Sequence, residues 1–363
     1  MNFLTKEGRI SVLDLLLRII RKYFGAHLSA VMQSGKGGGC LFVPFSPDYV
    51  GGPATFMNLL KTYLNERNIA FTNSCYRKIS HVFFPIEYEM KYLKLWKRKG
   101  IKIIQRLDGV YYKSQYGKNA SIFNENIKEI YKSYADHIIF QSEYSKKQCY
   151  EVMGDYGAKR VDVILNGTDK TVFHPSSENI TRLPGIEFCF ITTGNFRELH
   201  MVEPLVKALD VLWEKNKKFK LKVLGVVDEK FDKHFNRPYI QLLGQCCPSE
   251  IADNLRSSDI FFYSFLNPNC PNSVIEAISC GLPVVSFSSG AIPELCYYQR
   301  DLLANVGDQV IHDYVNFSFT KLLEKLELCM TDFSKWKSIA VEHAGLYNVN
   351  DMAEAYVGAI YRN

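Results

Sequence analysis

One stretch of the chain concentrates groups that could do chemistry: Asn267-Pro-Asn-Cys-Pro-Asn-Ser-Val-Ile-Glu-Ala-Ile-Ser-Cys-Gly-Leu-Pro-Val-Val285. It reads as a strand, a proline-rich loop and the first turn of a helix. The amides of Asn272 and Ser273, with Val274 in the same turn, open that helix. Amides at such a position lack intrahelical partners and can hold an anion or a hydroxyl. Glu276 follows about one turn in, where its two carboxylate oxygens can accept from two neighbouring hydroxyls; the plainer alternative is that it only complements the helix dipole. Gly281-Leu-Pro283 then ends the helix. Elsewhere, Gly51-Gly52-Pro53 opens a helix at which phosphate oxygens could approach the backbone closely. Asp108, in Gln105-Arg-Leu-Asp-Gly-Val-Tyr-Tyr112, is placed either to accept a proton or simply to make a turn before Gly109, with Arg106 as its ion partner. Tyr111, Tyr112 and Tyr116 read equally as a stacking wall and as ordinary surface.

The elements that must position these residues alternate. Runs 40–45, 81–84, 101–107, 137–141 and 161–165 read as strands with helices between them. One helix opens at Pro53 and another is capped by Ser142. A polar, turn-rich stretch, 168–184, reads as a linker. The pattern then restarts with strands at 187–192, 221–227, 239–243, 259–263 and 283–287. Such alternation predicts parallel sheets covered on both faces. Two doubly wound α/β domains in tandem leave a cleft between the carboxyl ends of their strands, where ligands usually bind.

With 363 residues the chain is long enough for two such domains. Its net charge of +6, from 44 Lys and Arg against 38 Asp and Glu, is mild and unclustered. That balance argues against a nucleic-acid partner. Ten cysteines at irregular positions make no zinc pattern and suit a reducing compartment, so a cytoplasmic location is expected. No apolar run reaches membrane-spanning length. Residues 7–24 form an amphipathic helical pattern with a very wide apolar face. It is expected to bury that face against this protein or a second copy of it, or to lie in a membrane surface with Arg18, Arg21 and Lys22 at the phosphates. The run 35–39, Gly-Lys-Gly-Gly-Gly, precedes a strand instead of following one, so it reads as a flexible joint and not a phosphate loop.

Taken in order, these motifs resemble those of the family-4 retaining glycosyltransferases. The run Glu276-Ala-Ile-Ser-Cys-Gly-Leu-Pro-Val-Val285 and the following Ser288-Ser-Gly-Ala-Ile-Pro-Glu294 match that family's most distinctive segment. Gly51-Gly-Pro53, Ala135-Asp-His-Ile-Ile-Phe-Gln-Ser142 and Asn166-Gly-Thr-Asp169 with Phe173 match others. The resemblance covers roughly residues 40–363 and implies the GT-B fold, two Rossmann-like domains facing across a cleft. It implies an acceptor domain at 35–175, completed by a C-terminal helix at 346–363, and a donor domain at 185–345. It also implies transfer of a hexose-type sugar, with retention, from a nucleotide sugar such as a UDP- or GDP-sugar to a glycan, polysaccharide or glycolipid. Glu276 would then anchor the ribose and Arg197 the diphosphate. Gly51 and Gly52 would face that diphosphate across the cleft. Leu243 and Gln245 would lie near the base, and Asp108 would stand where many relatives hold a histidine.

The chain departs from the family pattern twice. Pro268 occupies the position of the family's first glutamate (276 − 8), and Asn269-Cys-Pro-Asn272 resembles a Pro-Cys-Pro-Asn variant of the loop. His200 stands where a lysine is expected, and a neutral imidazole offsets less phosphate charge than an ammonium. No Asp-x-Asp occurs, so neither a metal nor any other cofactor is expected beyond the sugar donor, which is substrate. The competing reading is a GT-B module that binds a nucleotide sugar or a partner without turnover; a nucleotide-sugar epimerase would need further acid–base groups.

Overall fold

The computed structural model describes residues 40–43, 52–73, 78–157, 159–176, 184–306 and 318–361. Residues 7–24, where a helix is expected, the 35–39 run and Gly51 lie outside them. The described residues form two six-stranded sheets, and every strand pair in them is parallel.

The first sheet contains β1 (Cys40–Phe42), β2 (Phe71–Thr72), β3 (Ile79–Pro85), β4 (Lys102–Leu107), β5 (His137–Phe140) and β6 (Arg160–Val163), in the order β2-β1-β3-β4-β5-β6. All four residues of β5 are buried. That is the pattern of a strand covered on both faces, where an alternating one would leave a face in water. One face is covered by the helix Gly52–Glu66 and, from the far end of the chain, the helix Val349–Tyr361. Phe56, Met57, Leu60, Met352, Tyr356 and Ile360 form one core with Phe83, Ile104 and Ile139. The rings of Phe56 and Tyr356 lie 4.8 Å apart. The helices Met90–Arg98 and Asn119–Glu129 cover the other face, with Trp96, Leu93 and Ile103 in one cluster and Ile127, Tyr131 and Phe140 in another. Full burial of each such side chain contributes about 1.5–3 kcal/mol.

The second sheet contains β7 (Phe188–Phe196), β8 (Phe219–Val227), β9 (Ile240–Gly244), β10 (Ile260–Tyr263), β11 (Val284–Phe287) and β12 (Leu303–Ala304), in the order β12-β11-β10-β7-β8-β9. Numbered from its own start this is 3-2-1-4-5-6, the dinucleotide-binding arrangement, whose ligand crevice lies where the winding reverses between β7 and β10. β10 and β11 are buried throughout. The helices Leu199–Lys215 and Phe319–Thr331 pack on one face, and Pro248–Arg256 and Asn272–Ser279 on the other. Strands β2 and β12, two residues each, carry no periodic signal that sequence reasoning could have found.

The chain passes between the domains twice, and the two crossings run side by side. Thr168 donates to the Tyr347 carbonyl at 3.0 Å, and Val349 donates back to the Thr168 carbonyl at 2.9 Å. A Cβ on Gly167 would stand 2.6 Å from the Asn348 backbone, so only glycine permits this approach.

Candidate functional site

The carboxyl ends of β4, β5 and β6 deliver Asp108, Gln141 and Asn166 to one place. Opposite them, the loop after β10 and the helix Asn272–Ser279 deliver Asn269, Asn272 and Glu276. Together with Gly52 and Thr55 these residues line a cavity of about 460 Å³ between the two sheets. A second cavity, of about 340 Å³, adjoins it. Tyr111, Tyr116, His200, Phe265 and Pro268 are among its walls, and Asp108 and Asn269 line both cavities.

Behind the first cavity sits Arg106, only 1% exposed. A buried guanidinium is costly unless its donors are satisfied, and here they are. Its Nε donates to Tyr356 Oη at 3.0 Å, and one terminal nitrogen donates to Gln141 Oε1 and Asn166 Oδ1, each at 3.0 Å. The other terminal nitrogen pairs with Asp108, and the Phe56 ring lies 4.1 Å beneath the guanidinium. Asn166 carries the network across the cleft, donating from Nδ2 to Asn272 Oδ1 at 2.9 Å and to the Cys270 carbonyl at 3.1 Å. The plain reading of Arg106, an ion partner for Asp108, is therefore the smaller part of what it does. Its signal in the sequence is an arginine inside the apolar run Ile103-Ile104-Gln105-Arg106-Leu107. A charge at that place in a covered strand must be paired.

Asp108 keeps 19% of its side chain exposed. Burial raises its carboxyl above the usual range, and the Arg106 guanidinium offsets part of that. Its main-chain carbonyl accepts from Gln141 Nε2 at 2.8 Å, which fixes the turn. Gly109, at φ +142°, lets the second domain close over this turn: a Cβ there would stand 2.5 Å from the Asn269 side chain.

Glu276 lines the first cavity, and among the described residues its carboxylate has no ion-pair or hydrogen-bond partner. Burial pushes its carboxyl up to about 7. An unpaired carboxylate at the first turn of a helix, facing a cavity, is a group left open for a ligand. Asn272 lines the same cavity, while Ser273 beside it contacts Tyr263. Val274 stands otherwise. Its side chain is fully buried in the core, and its amide already donates to the Pro271 carbonyl at 3.1 Å.

The remaining sequence candidates divide. A Cβ on Gly52 would meet nothing within 4 Å among the described residues. His200 is buried in the wall of the second cavity, and burial lowers its imidazole to about 4, so it is neutral at pH 7. Arg197 is exposed after β7 and lies outside the described walls of both cavities. Leu243 packs against the core of the second domain, and Gln245 is exposed just past β9; neither lines these cavities. All three tyrosines line the second cavity, but Tyr112 is buried with its hydroxyl on Gln148, whereas Tyr116 is exposed. No cluster of three or more metal-binding side chains occurs among the described residues. None of their helices is long and apolar enough to cross a membrane.

Comparison with known proteins adds to this geometry. Residues 187–313 match the family model described as glycosyl transferases group 1. No curated protein sequence matches. Among solved structures, the chain is similar to HepE of Anabaena in complex with UDP-glucose, at 13% identity and a TM-score of 0.67, over 89% of this chain and 100% of that one. It is similar to WaaG, a glycosyltransferase of lipopolysaccharide biosynthesis, at 12% identity and 0.63, over 89% and 99%. Sucrose-phosphate synthase of Thermosynechococcus elongatus matches at 15% identity and 0.61, over 97% and 93%. At these identities the likeness speaks for the architecture, and the architecture is GT-B: two Rossmann-like domains face one another across the cleft that holds Asp108 and Glu276.

Proposed function

We propose that this protein is a glycosyltransferase that moves a hexose-type sugar from a nucleotide-sugar donor to a glycan or glycolipid acceptor, with retention and without a metal. The observation that carries the reading is Glu276: an unpaired carboxylate in the first turn of Asn272–Ser279, across the cavity from Gly52 and Asp108. It is suited to the two hydroxyls of a ribose. The matched family model over the second domain supports this, as does the UDP-glucose held by HepE.

In this reading the donor lies in the first cavity. Breaking the bond to the sugar leaves negative charge on the departing diphosphate, and fixed donors aimed at that charge lower the barrier. The helix start at Gly52 would present its backbone to that charge without a side chain in the way, and Arg197, exposed after β7, would supply a positive charge from the edge of the cleft. Asp108, held by Arg106, faces the reacting centre from the acceptor side. Residues 7–24 would hold the protein on a membrane surface or pair it with a second copy. The reducing cytoplasm is the proposed location, in keeping with the unpaired state of the described cysteines.

A second reading has a specific observation behind it. No lysine or arginine is among the described residues that line either cavity, and His200 is neutral. A module with those features could bind a nucleotide sugar and not turn it over.

Calorimetry and thermal unfolding with UDP-, GDP-, ADP- and dTDP-sugars test both readings, because a ligand that binds only the native state raises its stability. The transferase reading expects one donor to bind wild type, to lose binding in Glu276→Ala, and to release nucleotide when acceptors are supplied. Binding without nucleotide release for any acceptor selects the second reading. No binding by any donor at millimolar concentration overturns both.

A further inference from the structure

A guanidinium donates hydrogen bonds and cannot accept one. At Arg106 that fixes the direction of every bond beyond it. Asn166 lies between two groups of fixed character. The Arg106 guanidinium must meet its Oδ1, and the Cys270 main-chain carbonyl must meet its Nδ2. Asn166 therefore has one orientation, in which its Nδ2 also donates to Asn272 Oδ1 at 2.9 Å. Asn272 is oriented in turn. Its oxygen is committed to Asn166, and among the described residues nothing accepts from its Nδ2. Gln141 is held in the same way, with Oε1 on Arg106 and Nε2 on the Asp108 carbonyl, so both of its ends are engaged. Pairing with Asp108 offsets the charge of Arg106 and leaves its inability to accept untouched.

The amide edge left over belongs to a residue that lines the first cavity, four positions ahead of Glu276. Residues four apart share a helix face, and Asn272 lies about 6 Å nearer the helix start. There the helix dipole favours negative charge. A nucleotide sugar with its ribose on Glu276 would bring its next part, the diphosphate, toward Asn272. No lysine or arginine is among the described walls of this cavity, and Arg106 is enclosed behind them. An N–H edge held in one orientation serves such a site well, because a fixed dipole does not have to reorganise when charge develops. The amides of the chain also point head to tail, so each bond polarises the next.

We propose that Arg106 is a positioning residue: acting through Asn166, it holds the Asn272 amide with its N–H edge in the first cavity, where that edge takes an oxygen of the donor's diphosphate. The inference rests on the donor reading and adds to it a group that meets the diphosphate from the second domain.

The test uses the full chain and calorimetry. The probes are UDP, GDP, ADP and dTDP, each beside its own nucleoside, which is the same ligand without phosphate. Asn272→Ala should weaken whichever diphosphate binds wild type by about tenfold or more, the scale of one hydrogen bond to a charged group, and leave its nucleoside unchanged. Asn166→Asp can accept from Arg106 but cannot donate, so Asn272 must turn its oxygen to the cavity. The diphosphate should again weaken about tenfold or more. Arg106→Gln, which can offer either edge to Asn166, should weaken it severalfold, whereas Arg106→Lys, again a donor only, should retain most of the affinity. In an Asn272→Ala background, Asn166→Asp and Arg106→Gln should cost nothing further, because the group they act through is gone. Asn166→Asp keeps its bond to Arg106, so the comparison stands on it if Arg106→Gln fails to fold. A loss that persists in the Asn272→Ala background, as direct repulsion by the new carboxylate would, overturns the inference. So does equal weakening of diphosphate and nucleoside, the mark of a merely structural role, or an unchanged diphosphate affinity in Asn272→Ala. Failure of every diphosphate to bind wild type is a different result, and it removes the donor reading together with this one.

Discussion

Glu276 has a cost that its neighbours do not relieve. The folded state disfavours its charged form, so stability is lost as pH rises from the ordinary glutamate value of 4.5 through about 7, and the full penalty remains above that. Glu276→Gln removes the charge and keeps the shape. At pH 8 the variant should be more stable than wild type by about 1–3 kcal/mol, and near pH 4, where both carry a neutral group, the two should unfold together. Thermal melts at the two pH values measure this directly. The same substitution should weaken nucleotide binding by about tenfold or more, because it removes the charge and replaces one of the two accepting oxygens by a donor. A residue whose removal stabilises the fold and disables a site is retained for the site. Much of this is visible in the sequence: Glu276, Asn272 and Asp108 stand in motifs whose spacing alone places them near strand ends or helix starts. The Arg106 network is not visible, because its partners Gln141, Asn166 and Tyr356 come from three distant segments. Nor is the inward turn of Val274, which depends on which face of one helical turn meets the core.

At the scale of elements, one helix start in the first domain is completed by the second. Ser142 caps the helix Glu143–Met153 through a reciprocal pair with Ser145, and its hydroxyl also donates to the Asn269 carbonyl of the other domain at 2.5 Å. The first two amides of the helix are satisfied from across the cleft: Glu143 and Tyr144 donate to the Glu294 carboxylate at 2.9 and 2.7 Å. A carboxylate at a helix start is favoured by the helix dipole as well as by the bonds. Glu294→Ala should therefore weaken interdomain closure by about 1–2 kcal/mol. Small-angle scattering should report a larger radius of gyration, and the apparent affinity for a nucleotide sugar should fall. Unchanged scattering would mean that the rest of the interface suffices. The sequence marks Ser142 as a cap but gives no sign that Glu294, some 150 residues later, completes it. The strand and helix alternation is read with ease because buried parallel strands are continuous apolar runs.

At the scale of the whole molecule, the helix Val349–Tyr361 belongs by packing to the domain that the chain begins. Met352, Ala353, Tyr356, Ala359 and Ile360 lie in one core with Leu41, Phe56 and Phe83, and Tyr356 is also a partner of the buried Arg106. A chain ending at residue 345 should keep the second domain folded and leave the first open to limited proteolysis, with cleavage mapping before residue 170. There is a consequence for synthesis. Domains usually fold in the order they leave the ribosome, yet here the second can close while the first still waits for the last thirteen residues of its core helix. Until they emerge, Arg106 has a charge and no Tyr356 to share it with, and the apolar face of Gly52–Glu66 stands open to water. The domain begun first is finished last, so nascent chains stalled short of residue 349 are the ones expected to engage holding chaperones.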